Sequence, residues 1–251
     1  KPLTNHPEEL IQAGFVYQGQ LETIGNPWSK PIVNDPYYSG QYGIPLTNVD
    51  DAWSITHGSE SVVIAIIDTG IDTDHEDFLY RLSELSYNSA TDQVGLEYVE
   101  DDDGHGTMVA GVIGANQNNS IGIAGITNYT QLMIIKANDA GDDTFDDSDI
   151  IRGIYYAVDH GANIINLSLG GTYANPLTND AVNYAYEHNV LVVAAAGNDG
   201  NDDVMYPASF ENALSVGSVD EDAIIATYSN FNEYVDIAAP GSSISTTDLN
   251  N

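Results

Sequence analysis

Cysteine is absent and basic residues are scarce. With no Cys in 251 residues, disulfides are excluded and so is thiolate-ligated zinc. Lys and Arg total 5 against 38 Asp and Glu, a formal net charge of 5 − 38 = −33. Nucleic-acid binding draws on Lys and Arg at the phosphates, and five such residues spread along the chain form no basic face. Nucleic acid is therefore not expected as a partner. Long apolar runs are missing too. None approaches the roughly 18 residues of a membrane-spanning helix, so no membrane partner is expected. The chain starts at Lys1 rather than Met and carries no signal-peptide pattern, as a processed or excised segment would.

What is present is the composition of a folded domain. Apolar residues make up 42% and aromatics 9%, most of them among the 16 Tyr. That is too much burial potential for a disordered chain, despite the charge. A length near 250 residues suits one large domain or two small ones. So acidic a surface repels itself at low salt. Salt or bound cations relieve that repulsion. Most of the carboxylates read as solvated surface, and a subset is suited to divalent metal. Calcium is the natural ion for hard oxygen ligands.

Residues 1–33 are irregular in pattern, with Pro at 2, 7, 27 and 31. They read as an N-terminal extension or the remnant of a pro-segment, ahead of a domain over 34–251. Val62–Ile67 is a continuous apolar run, the pattern of a strand buried on both faces. Further runs are Leu132–Ile135, Ile164–Leu169, Leu191–Ala196 and Leu214–Val219. Helical patterns fall between them at Thr107–Ala115, Ser148–His160 and Thr178–Asn189. The second follows an acidic run suited to a helix N-terminus and stops at Gly161. Strands alternating with helices predict an α/β fold, a mainly parallel central sheet with helices on both faces.

In open α/β sheets, ligands bind beyond the carboxyl ends of the strands. Asp68-Thr69-Gly70 follows the first run, Gly170-Gly171 the third and Gly197-Asn198 the fourth. Gly104-His105-Gly106-Thr107 opens a helix. An acid, a His and an amide can thus meet on one rim. The acid would fix the His tautomer and stabilise the imidazolium, and an Asn amide can donate to a developing oxyanion. Taken singly, Asp-Thr-Gly reads equally as a turn, Gly-His-Gly as a helix entry and Asn198 as a turn residue.

As a set, these segments resemble the subtilisin-like serine proteases (subtilases), in their thermitase-like branch. The resemblance rests on Val62–Asp77 (VVIAIIDTGIDTDHED), Asp103–Gly111 (DGHGTMVAG), Asn118–Gly125 (NNSIGIAG), Ile164–Gly171 (IINLSLGG), Val192–Gly200 (VVAAAGNDG) and Ala238–Gly241 (AAPG). It spans roughly residues 34–251, with Asp before His in the family's order. It implies Asp68 as triad acid, His105 as general base and Asn198 as oxyanion donor. Ser168, Leu169 and Gly170 would pair with a polypeptide substrate as an added strand. Ala195, Ala196 and Gly197 would wall the primary specificity pocket. Asp72 reads as structural, and Tyr206-Pro207 matches a cis position of the family. Met108 replaces the family's second His, a position on the helix and outside the triad.

The family's nucleophile lies in a Gly-Thr-Ser-Met-Ala motif some twenty residues past the Ala-Pro-Gly turn. Here that turn is followed by SSISTTDLNN, and no Gly-Thr-Ser occurs. Ser242, Ser243 and Ser245, in a strand-like stretch, are poorly placed for the role. The favoured explanation is an incomplete segment of an active endopeptidase, its C-terminal part missing. A cleavage product completed by a separate C-terminal fragment is the second. A shortened, non-catalytic relative that binds peptide or calcium is the third. The chain alone is then expected to be inactive and unstable. A nucleotide-binding protein is disfavoured, since no Gly-x-Gly-x-x-Gly follows a strand.

The resemblance also implies a structural calcium site. Its ligands would be the carboxylates of Asp35 and Asp77, the side chain of Asn119, and backbone carbonyls of Asn116, Ile121 and Ile123, a count within calcium's range. Asp101–Asp103 and Asp199–Asp203 are weaker metal candidates. An acidic cleft rim at Asp142–Asp147 would favour substrates with Lys or Arg a few residues before the scissile bond. The resemblance, with the acidity, implies a secreted, extracellular protein.

Overall fold

A computed structural model describes residues 33–138 and 144–249. Residues 1–32 of the expected extension, and Asp142 and Asp143 of the acidic rim, lie outside that range. The apolar runs form the middle of an eight-stranded sheet. In chain order its strands are β1 (Val63–Asp68), β2 (Tyr87–Asn88), β3 (Gln93–Val94), β4 (Gln131–Lys136), β5 (Ile164–Leu167), β6 (Leu191–Ala195), β7 (Ala213–Val219) and β8 (Ile237–Pro240). Their spatial order is β3-β2-β4-β1-β5-β6-β7-β8. Every neighbouring pair is parallel except β2–β3. The expected mainly parallel sheet is present.

Three longer helices follow the expected segments: α1 (His105–Gly114), α2 (Asp147–Asp159) and α3 (Pro176–Glu187). The α3 start is set locally, by Pro176 at its head and Asn175 accepting from the Leu177 N–H at 2.9 Å; Pro has no N–H to lose there and Asn satisfies an orphan donor. Asp147 and Asp149 lie in the first turn of α2, on the positive end of the helix dipole. Gly161, at φ 88°, turns the chain after α2.

Strand alternation sorts the helices onto two faces. Ile64, Ile66, Leu132 and Ile134 point to the α1 side and pack with Ala110, Phe78 and Ile123. Ala65, Ile67, Met133, Ile135, Ile165 and Leu167 point the other way, onto Ile150 and Ile154 of α2 and Val182 of α3. Most of the large side chains among these are fully buried, each contributing about 2 kcal/mol of transfer free energy.

Some expectations shift at the edges. Ser168 and Leu169 fall beyond the end of β5. Ser242, Ser243 and Ser245 lie in irregular chain, and the strand precedes them as β8. That strand carries small residues and a Pro, a composition suited to a sheet edge and not to a buried run.

Candidate active site

Asp68 ends β1 and is fully buried. Its Oδ1 lies 2.7 Å from His105 Nδ1 and accepts the Thr69 N–H at 2.8 Å. Its Oδ2 has no hydrogen-bond partner. His105 is the first residue of α1, after Gly104 at φ 110°, a conformation that favours Gly. The two segments meet at van der Waals limits: a Cβ on Gly106 would lie 2.2 Å from the Gly70 carbonyl oxygen. Thr69 Oγ1 accepts the Gly106 N–H at 2.8 Å, adding a second tie. The hydrogen bond to Asp68 raises the His105 pKa above its ordinary 6.5, against a lowering by burial, with Asp103 and Asp101 adding to the rise. A His held this way by an acid on one nitrogen can take a proton on the other.

Asn198 is exposed and lies three residues past β6. It lines a cavity of about 620 Å³ together with His105, Ser168, Ala195, Ala196 and Gly197. The cavity also runs over Val193 of the sheet and Val109 and Val112 of α1, so it is a mainly apolar trench between helix and sheet. Leu169 and Gly170 line a second cavity of about 410 Å³ with Phe145, Asp147, Thr178 and Phe210. The stretch Ser168–Gly170 therefore runs between two cavities. Tyr206-Pro207 is cis, and Tyr206 pairs with Gly171 through bonds of 2.8 and 2.9 Å.

One residue escaped the sequence reading. Asn230 is 1% exposed. Its N–H donates to the Gly197 carbonyl at 3.0 Å, its Oδ1 accepts the Asp199 N–H at 2.8 Å, and its Nδ2 donates to the Asp203 carbonyl at 3.1 Å. It thus grips the chain on both sides of Asn198. Nothing local marks it, because Ser-Asn-Phe-Asn reads as an ordinary turn; only the fold brings it to residue 198.

The implied calcium residues converge. Asp35 and Asp77 are both buried. Asp35 accepts the N–H groups of Asn118 and Asn119 at 2.9 and 3.1 Å. Asp77 accepts the Asn119 side-chain amide at 2.7 Å and the Ile123 N–H at 3.3 Å. The Asn116 N–H donates to the Asp77 carbonyl, and the Ile121 N–H to Asn119 Oδ1 at 2.9 Å. Burial raises the Asp77 pKa, and the Asp35 charge adds to it. A Cβ on Gly122 would lie 2.3 Å from Asp77 Oδ2, so the loop closes directly over the carboxylate. Two buried carboxylates close to one loop are donors of the type a hard cation takes, although the groups that face them are N–H donors of Asn118, Asn119 and Ile123. Among the described residues no group of three or more His, Cys, Asp or Glu is arranged for a metal, so a site here depends on amide and carbonyl oxygens.

The other acidic runs are occupied differently. Asp101 accepts from the Gly104 N–H and from the N–H and hydroxyl of Thr107. Burial pushes its pKa up, but these bonds outweigh that and hold it below the ordinary carboxylate value. Asp102 pairs with Lys136. Asp203 accepts from Asn201 Nδ2 within its own turn. The Thr107 hydroxyl in turn accepts the Asp72 backbone N–H at 2.9 Å.

Comparison with known proteins identifies the family. The family model for the subtilase family matches residues 59–251. The chain is 41% identical over 222 residues to a thermophilic serine proteinase of Bacillus sp. (strain AK1), covering 85% of this chain and 52% of that protein. It is 41% identical over 219 residues to thermitase of Thermoactinomyces vulgaris, covering 85% and 75%. Proteases from Pseudoalteromonas arctica superpose with a TM-score of 0.76 at 28% identity, over 88% of this chain and 79% of theirs. The chain thus spans about half the length of the Bacillus relative. Other relatives are named as extracellular and as intracellular serine proteases. With a matching family model over most of its length and relatives sharing two residues in five, the chain belongs to the subtilase family.

Proposed function

We propose that this chain is the acid–base and substrate-binding part of a subtilisin-type serine endopeptidase, with the nucleophilic Ser supplied from outside these residues. The observation that carries the reading is the 2.7 Å contact between buried Asp68 and His105, on the wall of a cavity that Asn198 shares. His105 Nε2 takes the hydroxyl proton of that Ser as its oxygen bonds to the peptide carbonyl carbon. Asn198 donates to the oxyanion. His105 then returns the proton to the amine as the C–N bond breaks, and water releases the acyl group by the same path. The apolar trench beside His105 is where the segment bearing that Ser would dock.

The test compares the 251-residue chain alone with the chain joined to a subtilase segment bearing Gly-Thr-Ser. The chain alone is expected to leave a peptide library uncut and to melt at lower temperature, and the joined protein to cut. Hydrolysis by the pure chain would overturn the assignment of the nucleophile. Peptide binding without hydrolysis by the joined protein would favour the non-catalytic reading.

Calcium is part of the same proposal. Asp35, Asp77, Asn119 and the carbonyls of Asn116, Ile121 and Ile123 would hold it. When bound it would supply charge compensation for the two buried acids and pin the loop. The Asn119 side-chain amide now donates to Asp77, so its oxygen would ligate after the amide turns over. The acidic rim is represented among the described residues by Asp146 and Asp147, with Asp147 lining the smaller cavity. It supports a preference for Lys or Arg a few residues before the scissile bond. A peptide library cut at low salt with no such preference would remove that element. An extracellular setting is supported by the acidity and the calcium-suited loop.

A further inference from the structure

The described residues contain three basic side chains, Arg81, Lys136 and Arg152. In a chain of net charge −33, a buried cation calls for a reason. Lys136 is 5% exposed. It ends β4 as the register partner of Asp68 on β1. Register partners on adjacent strands present their side chains to the same face, here the face that carries α1. The ammonium donates to the Thr69 carbonyl at 2.7 Å and to Asp102 Oδ1 at 2.6 Å. Thr69 directly follows Asp68, and Asp102 precedes His105 by three residues.

We infer that Lys136 is a positioning residue of the Asp68–His105 pair, joining the turn after the acid to the loop before the base and cancelling the charge of Asp102 beside them. The inference rests on reading Asp68 and His105 as acid and base. A general base must be neutral to accept a proton. Three carboxylates act on His105: Asp68 from β1, and Asp101 and Asp103 from the preceding loop; Asp248 of the terminal segment lies beside the neighbouring Gly104, its Oδ1 3.9 Å from where a Cβ there would lie. Each of the three favours the imidazolium. Asp102 would be a further one, and the buried ammonium takes it out of the sum. The ammonium is the buried member of the pair and Asp102 the exposed one, so losing Lys136 removes the cation that offsets the Asp102 charge.

The test is the NMR titration of the His105 ring in the whole 251-residue chain, with His160, on the far face of the sheet, as internal control. Lys136→Met is expected to move the His105 midpoint up by about 0.5 pH, and the double variant Lys136→Met/Asp102→Asn to bring it back to within about 0.2 pH of the parent. Lys136→Arg should leave it unchanged. If Lys136→Met does not fold, Asp102→Asn carries the test: it leaves the ammonium uncompensated, so the midpoint must fall. An unmoved midpoint in Lys136→Met or Asp102→Asn overturns the inference, as does an equal rise in the double variant. Asp68→Asn reports separately on the underlying reading. It must lower the His105 midpoint, and if it does not, the acid–base pair itself is misassigned whatever Lys136 does.

Discussion

His105 and Asp101 titrate in opposite senses, and together they set a pH window. The folded pKa of His105 is above 6.5. The stability it contributes is fully present below pH 6.5 and is lost as pH rises through the higher folded value. Asp101 is held below 3.8. Its contribution is present above pH 3.8 and is lost as pH falls through its folded value. Urea melts from pH 5 to pH 9 should therefore show declining stability above pH 6.5, and Asp68→Asn should flatten that decline. A decline of equal slope in Asp68→Asn would assign it to another group. In the enzyme with its nucleophile, the acid limb of kcat/KM should lie above pH 6.5 for the same reason, and Asp68→Asn should lower kcat by about 10⁴-fold.

At the scale of elements, the site depends on how closely β1, α1 and the loop after β6 approach one another. A methyl group at residue 106 has no room beside the Gly70 carbonyl, which is backbone and cannot step aside. Gly106→Ala should cost about 3 kcal/mol in a denaturant melt, and a parent-like midpoint would show that the two segments separate easily. Asn230→Ala removes both side-chain bonds to the loop around Asn198. It should cost about 2 kcal/mol, and in the enzyme with its nucleophile it should lower kcat more than it raises KM. These elements differed in how far the sequence announced them. Val62–Ile67 and the other buried runs were readable because parallel strands covered on both faces are apolar throughout. Asp68 and Asn198 stood out because they follow such strands, and His105 because it opens α1 between two glycines. The β2–β3 hairpin has two residues per strand and offers no periodicity to find. Lys136 and Asn230 act through partners 34 and 27 or more residues away, Asp102 and Asp203, and long-range pairing leaves no local pattern.

For the whole molecule, the charge of −33 divides into a few buried carboxylates and a large solvated remainder. Asp35, Asp68, Asp77 and Asp101 are buried. Calcium at about 100 times its dissociation constant would add about 2.7 kcal/mol, so chelation by EGTA should lower the melting temperature by several degrees. Asp35→Ala should abolish that response; a response that survives would place the ion elsewhere. The solvated remainder should make stability rise with NaCl until screening is complete, since the Debye length falls to about 10 Å at 0.1 M. A melting temperature indifferent to salt would mean the surface charges are already locally paired.

In the trench beside His105, acid and base are hydrogen-bonded on one wall, and a Ser-bearing segment given on a separate polypeptide would dock there in an equilibrium. Turnover would then follow the local concentration of that segment. Tethered to this chain it would sit at roughly millimolar effective concentration, and given in trans it would work only near its own dissociation constant. On the function proposed above, the two parts given separately would make a split peptidase whose activity reads out whether two polypeptides have been brought together.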